Sequence, residues 1–271
     1  MKDFLLGIQL FTVRNELAED FVGTLKKIKE MGYDGIEFGG TICGYSAAEV
    51  KKICKEIGLI PFSAHITLVD MLKNPDILKI YQEIGCDYTV IPYLEEGYRP
   101  GEPKFNDVIE GAKMLGKKAN ELGMKMCYHN HDFEFDKIGD EYAIDVIYRE
   151  VAADLLQPEF DTCWVKVSGV EPVDYIRKYA GRQEILHLKD YVGGKTENMY
   201  GLIGIDENEV KDTGGKFEFR PVGYGVQNFS EILEAAKEVG IKWVIVEQDQ
   251  PSMGKTPLEC AEMSINYLNS L

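Results

Sequence analysis

The stretch SAAEVKKICKEIGLIPFSAH, residues 46–65, spells out one complete helix-to-strand unit. Ser46 and Glu49 form a capping box: the serine oxygen accepts an orphaned backbone N–H while the glutamate reaches back to the serine N–H. Val50, Ile53, Cys54 and Ile57 then recur at helical spacing. Gly58 supplies the left-handed residue that ends such a helix, and the apolar run 59–65 predicts a strand finishing on His65. A strand apolar on both faces is what a parallel sheet covered by helices requires.

Working outward, seven more strand-like runs appear, at 4–10, 35–38, 88–92, 124–129, 155–160, 184–189 and 243–246. Helical patterns separate them. Asn74-Pro75 and Thr256-Pro257 read as N-cap plus first helical residue, and Gly32, Gly85 and Gly123 each sit between a helical pattern and the next strand. Eight such alternations in 271 residues predict an α/β chain, a (β/α)₈ TIM barrel forming a single domain over 1–271, since one such barrel takes roughly 250 residues. An open doubly wound sheet is the other solution of the same pattern. The regularity breaks at about 191–222, where glycines and the charged run Lys211 to Lys216 predict a hairpin insertion after strand seven, overhanging the mouth.

Composition narrows the function. With 30 basic against 46 acidic residues the formal net charge is −16, which repels phosphate backbones and anionic lipid, so neither nucleic acid nor membrane is expected as a partner. The six cysteines lie scattered, mostly in apolar runs and without a C-x-x-C pair, as buried thiols of a reducing compartment would. The N-terminal residues lead straight into a strand-like run, with no signal-peptide pattern and no long apolar span, so a cytoplasmic location is expected. A homo-oligomer stays open.

In a barrel of this kind the chemistry gathers at the C-terminal ends of the strands. Gln9 ends strand one, Glu37 strand two, His65 strand three, His129, His131 and Glu134 strand five and its loop, Asp161 strand six, His187 with Lys189 and Asp190 strand seven, and Glu247 strand eight. All four histidines fall at strand ends. Each one alone could be a satisfied core histidine, but imidazoles and carboxylates converging from several strands form a nitrogen and oxygen donor set for a divalent metal such as Mn²⁺, Mg²⁺, Co²⁺ or Zn²⁺. Glu247, placed directly after Trp243 to Val246, is costly to bury unless paired or liganding. Three weaker signals are set aside. His129-Asn130-His131 is an H-x-H pair on strand five rather than strand one. Gly193-Gly194-Lys195-Thr196 lacks the first glycine of a phosphate loop, where Lys189 stands, and Gly223-Tyr224-Gly225 carries no function by itself.

Several segments together, Gly7 to Arg14, Gly35 to Phe38, Tyr128 to Phe135, Phe160 to Cys163, Leu186 to Asp190, Pro221 to Gly225 and Val246-Glu247, resemble the xylose-isomerase-like barrel superfamily of sugar phosphate isomerases and epimerases. The resemblance implies a metal held by an acid at strand five, an aspartate at six, a histidine at seven and a glutamate at eight. Asp161, His187 and Glu247 match the last three directly, whereas His129 stands where many members place the strand-five glutamate. Either His129 ligates, or Glu134 reaches back from the loop and leaves His129 or His131 for proton transfer. The preferred set is Glu134, Asp161, His187 and Glu247, with Mn²⁺ the first choice of ion.

The resemblance further implies a small sugar-like substrate and an isomerase or epimerase working through an enediolate. Glu247 and the strand-five group would move protons, His65 and Lys189 would hold hydroxyls or oxyanion charge, and Gln9 and Glu37 would bind substrate. A lyase or dehydratase expelling a β-substituent from a keto-sugar or 3-keto-glycoside is the alternative, made more pointed by the histidine at strand five. A sugar-binding barrel without catalysis is the third.

Overall fold

The computed structural model describes residues 3–196, 199–204, 214 and 216–271. Eight parallel strands close into a barrel: β1 Leu5–Gln9, β2 Gly35–Gly39, β3 Ile60–His65, β4 Tyr88–Ile91, β5 Lys125–His129, β6 Gln157–Asp161, β7 Ile185–Leu188 and β8 Trp243–Val246. Closure is made by β1 against β8, with Leu5 opposite Trp243 and Ile8 opposite Val246. The open-sheet alternative is thereby excluded. The outer ring is α1 Phe21–Met31, α2 Ala47–Ile57, α3 Leu78–Ile84, α4 Phe105–Glu121, α5 Ala143–Glu150, α6 Pro172–Lys178, α7 Phe229–Val239 and α8 Pro257–Ser270.

Local chemistry explains the boundaries. The capping box at Ser46 forms, as does a second at Thr256, where Pro257 opens α8. Gly32, Gly58 and Gly85 close α1, α2 and α3 at positive φ. The Asn74-Pro75 start behaves differently: the asparagine side chain makes no cap, and Pro75–Ile77 forms a 3-10 turn before α3 begins at Leu78. Strand β6 starts two residues later than its apolar run, because Leu155 and Leu156 close a turn onto the Ala152 carbonyl, and so Asp161 lies in the strand itself.

Along each strand, alternation sends one set of side chains to the helices and the other into the barrel. Phe160, Leu186, Leu188, Val244 and Val246 face outward into the main core. The lower interior is a separate apolar cluster containing Phe62, Tyr88, Val90, Cys127, Ile185, Trp243 and Ile245. Phe62 and Trp243 stack there with ring centroids 3.9 Å apart. Glycine makes the stack possible: a Cβ on Gly7 would fall 2.8 Å from the Phe62 ring, and one on Gly35 2.7 Å from Trp243. Truncating Phe62 to alanine in so filled a space costs about 3–5 kcal/mol. Above this floor, the same inward positions turn polar.

A short antiparallel pair, Asp190–Gly193 with Phe217–Arg220, projects beyond β7. Its inner face packs Tyr191, Phe217 and Phe219 against Trp164. Residues 205–213 and 215, which include most of the glycine and charge run read from sequence, lie outside the described residues. No described helix is long and apolar enough to cross a membrane. All six cysteines are free thiols, with Cys43 half-buried and the others buried.

Candidate metal centre and cavity

The polar upper layer of the barrel is built by strand alternation. Inward positions on β6, β7 and β8 read Glu159 and Asp161, then Ile185 and His187 with Lys189 beyond, then Trp243 and Ile245 with Glu247 beyond. One donor atom each from His129, Asp161, His187 and Glu247 gathers within 4.8 Å of the others. The closest approaches are His187 Nδ1 to Glu247 Oε2 at 3.2 Å, His129 Nε2 to Asp161 Oδ2 at 3.4 Å, and His129 Nε2 to Glu247 Oε2 at 3.7 Å.

Both imidazoles are aimed from behind. His129 Nδ1 lies 3.2 Å from the Pro92 carbonyl, a group that can only accept, so Nδ1 carries a proton and Nε2 faces the cluster, where it would offer its lone pair to a bound ion. His187 Nε2 lies 2.7 Å from Glu37 Oε2, which leaves Nδ1 for the same cluster. Carboxylate or carbonyl support of this kind fixes the tautomer of metal-ligating histidines. Asp161 is held by its other oxygen, Oδ1 accepting from the N–H groups of Cys163 and Trp164 at the start of the short helix Thr162–Val167. Its Oδ2 and His129 Nε2 are buried with no hydrogen-bond partner, an arrangement that costs free energy unless a cation satisfies both. The donor set fits a divalent ion.

Glu134 is absent from this group, contrary to the set preferred from sequence. The turn after β5 winds into a 3-10 segment, Phe133–Phe135, and turns the Glu134 carboxylate inward. Oε1 accepts from the Tyr128 hydroxyl at 2.6 Å and Oε2 from the His131 N–H at 2.8 Å. Burial pushes this carboxyl up to about 7. The geometry therefore places His129 at the strand-five position of the cluster.

Gln9 and Glu37 are also placed differently from the substrate contacts expected of them. Both are fully buried and absent from the cavity lining, and the Gln9 amide donates to Glu37 at 2.8 Å. Glu37 joins His65, Glu159 and His187 in a second buried group, with His65 Nε2 3.1 Å from Glu37 and 2.8 Å from Glu159. Burial alone would depress the His65 imidazole, but Glu37 and Glu159 outweigh it and hold it up at about 9. Glu159 was not singled out from sequence, although its spacing of two from Asp161 puts both on the same strand face.

A cavity of about 310 Å³ opens above the cluster, bounded by His65, His129, His131, Lys189 and Glu247 on its polar side. Lys189 is 1% exposed and its ammonium lies 2.9 Å from Glu247, 2.7 Å from Asp249 and 3.6 Å from Asp161. Burial opposes its charge, but these acids outweigh burial and hold the ammonium well above the ordinary lysine range. Asp249, also unmarked in the sequence reading, lines the cavity and is pushed by burial up to about 6. His131 is held well below its ordinary value, first by burial and then by His129 and Lys189, so it is neutral.

A family model described as "Xylose isomerase-like TIM barrel" matches residues 25–271. Over 183 residues the chain is 30% identical to an inosose dehydratase of Clostridium beijerinckii, an alignment covering 65% of this chain and 58% of that relative's length. An inosose dehydratase of Geobacillus kaustophilus is 23% identical over 271 residues, covering 91% of this chain and 86% of the relative. Among solved structures, a sugar phosphate isomerase/epimerase from Parabacteroides distasonis superposes with a TM-score of 0.78 at 22% identity, covering 100% of this chain and 95% of that one.

Proposed function

The chain belongs to the xylose isomerase-like TIM-barrel family, and from that premise we propose that it is a divalent-metal-dependent lyase, removing the proton beside the carbonyl of a keto-sugar and expelling the β-substituent. His129, Asp161, His187 and Glu247 would hold the ion, Mn²⁺ being the first choice, with Co²⁺ or Zn²⁺ suiting the two imidazoles better than Mg²⁺. Bound there, the ion would polarise the substrate carbonyl and favour loss of the neighbouring proton.

The observation that carries the proposal is the contact of Lys189 with Glu247 at the cavity wall. Glu247 is the base: burial opposes its charge, but Lys189, His129 and His187 outweigh burial and keep it ionised. Lys189 is the acid that protonates the departing oxygen. The carbon–hydrogen bond and the carbon–oxygen bond break as a carbon–carbon double bond forms, and no oxidant is consumed. The proton taken by Glu247 passes across the 2.9 Å contact to restore the ammonium. His65 and His131 stand on the wall to orient hydroxyls.

Isomerisation or epimerisation is the second reading, favoured by the place of neutral His131 on the cavity wall as a second proton carrier. It is weaker because two of the three strand-five candidates are committed, Glu134 to Tyr128 and the His131 N–H and His129 to the cluster, so that returning a proton to the opposite face falls to His131 alone. The two readings separate by product analysis of a 3-keto-glycoside with metal-loaded protein. Released alcohol supports elimination; an isomer with the glycosidic bond intact supports the second reading. The whole chain is read as one catalytic domain, with the segment after β7 as an insertion over the mouth.

A further inference from the structure

Two places next to the cluster residues offer backbone N–H groups of the kind that bind phosphate, and the protein fills both with its own carboxylates. The loop after β7, where barrels commonly seat a phosphate, turns Gly223, Gly225 and Gln227 inward. Asp190 occupies that concavity: Oδ2 accepts from Gly223 at 3.1 Å and Gly225 at 2.8 Å, and Oδ1 from Gln227 at 3.2 Å and Tyr191 at 2.9 Å. Asp161 fills the start of Thr162–Val167. At Leu68–Lys73 the Thr67 hydroxyl is the cap, accepting from the Asp70 N–H, and the Asp70 carboxylate adds negative charge to the cavity wall.

The cations are equally committed. Lys189 on the wall is shared among three acids, and His65 between two. Arg14 donates to the carbonyls of Phe11 and Asp249, while Lys195 pairs with Asp132. Among the described residues that line the cavity, Lys189 is the one lysine or arginine, and two further acids, Asp70 and Glu95, face the cavity.

Much of the remaining cavity lining is apolar, contributed by Ile66, Leu68, Val69, Ile77, Leu94 and Ile203. Sugar hydroxyls laid against it would lose water without gaining partners, whereas hydrocarbon would gain by burial. We infer that the cavity takes an unphosphorylated glycoside whose departing group is an apolar alcohol, with the sugar ring at the cluster and the alcohol against the Val69 and Ile77 wall. The inference deepens the lyase proposal and rests on it for the role of the alcohol as leaving group.

Binding of unreactive glucosides tests the inference apart from the chemistry, because they carry no carbonyl. Isothermal calorimetry on Mn²⁺-loaded protein compares methyl β-D-glucoside, benzyl β-D-glucoside and benzyl β-D-glucoside phosphorylated on its primary hydroxyl. The benzyl compound is expected to bind about tenfold more tightly than the methyl one, and phosphorylation to weaken it by about tenfold. Val69→Asn and Ile77→Asn, at half-buried positions, should each shrink the benzyl-to-methyl ratio while methyl glucoside affinity reports that the site is intact. Equal affinities, tighter binding of the phosphorylated compound, or no binding of the benzyl compound overturns the inference. Loss of proton exchange on keto-sugars with the benzyl preference intact would instead overturn the lyase proposal alone.

Discussion

His187 and Glu37 are 150 residues apart in the chain and 2.7 Å apart in the barrel, Nε2 against Oε2. The contact turns the other imidazole nitrogen towards Glu247, so a fully buried carboxylate that is not itself in the donor set and does not line the cavity decides which way a ligand points. Glu37→Gln keeps the shape and removes the charge. Metal affinity should fall by about 10–100-fold with the fold retained, as losses of supporting carboxylates generally do. Titration with Mn²⁺, alongside circular dichroism, measures both.

His129 gives the cluster a second imidazole, which bears on ion choice. Two imidazoles and two carboxylates suit Mn²⁺, Co²⁺ and Zn²⁺, whereas Mg²⁺ prefers oxygen alone. His129→Glu should raise affinity for Mg²⁺ relative to Zn²⁺, read by competitive loading and elemental analysis. An unchanged ratio argues against His129 as a ligand.

Lys189→Met distinguishes acid from base. With the ammonium gone, release of alcohol should slow by about 10²–10⁴-fold, while exchange of the substrate proton with solvent continues through Glu247. The variant also leaves Glu247, Asp249 and Asp161 without their shared counter-charge, and a destabilisation of about 3–5 kcal/mol is expected on thermal or urea unfolding.

At the opposite end of the barrel Glu184 receives Lys125 at 2.5 Å, the Tyr88 hydroxyl at 2.6 Å and Lys242 at 3.1 Å. Partial burial opposes its ionisation, but these three outweigh burial and lower the carboxyl to about 2. A folded-state value below the unfolded one gives stability that is complete above the ordinary glutamate range and fades as pH falls from there to about 2. Glu184→Gln should therefore be less stable than the parent at neutral pH and lose less on acidification through that window. Urea midpoints measured at several pH values give the comparison.

The barrel is legible in the sequence because caps, glycines and apolar runs repeat in step, and the Ser46 unit contains the whole pattern in twenty residues. The cluster is partly legible: a strand-end rule marks Asp161, His187 and Glu247, but it does not say where a loop residue turns. Glu134 lies after the strand, and its direction is set by the Phe133–Phe135 turn and the Tyr128 hydroxyl, neither visible as a spacing. Gln9 and Glu37 stand at or near their strand ends, but their side chains are taken up by each other and by His65 and His187, which a strand-end rule does not show. Glu159 and Asp249 carried a usable signal, each two residues from an acid already marked, since alternation puts such pairs on one face.

The most direct test of a metal-assisted proton abstraction at this cluster is solvent deuterium incorporation, followed by NMR, into a 3-keto-glucoside incubated with Mn²⁺-loaded protein, with Asp161→Ala and the chelated parent as controls. Exchange at the carbon beside the carbonyl, accompanied by released alcohol and lost in both controls, is the predicted result. Exchange that survives chelation and the Asp161→Ala change, or its absence from the loaded parent, contradicts the account.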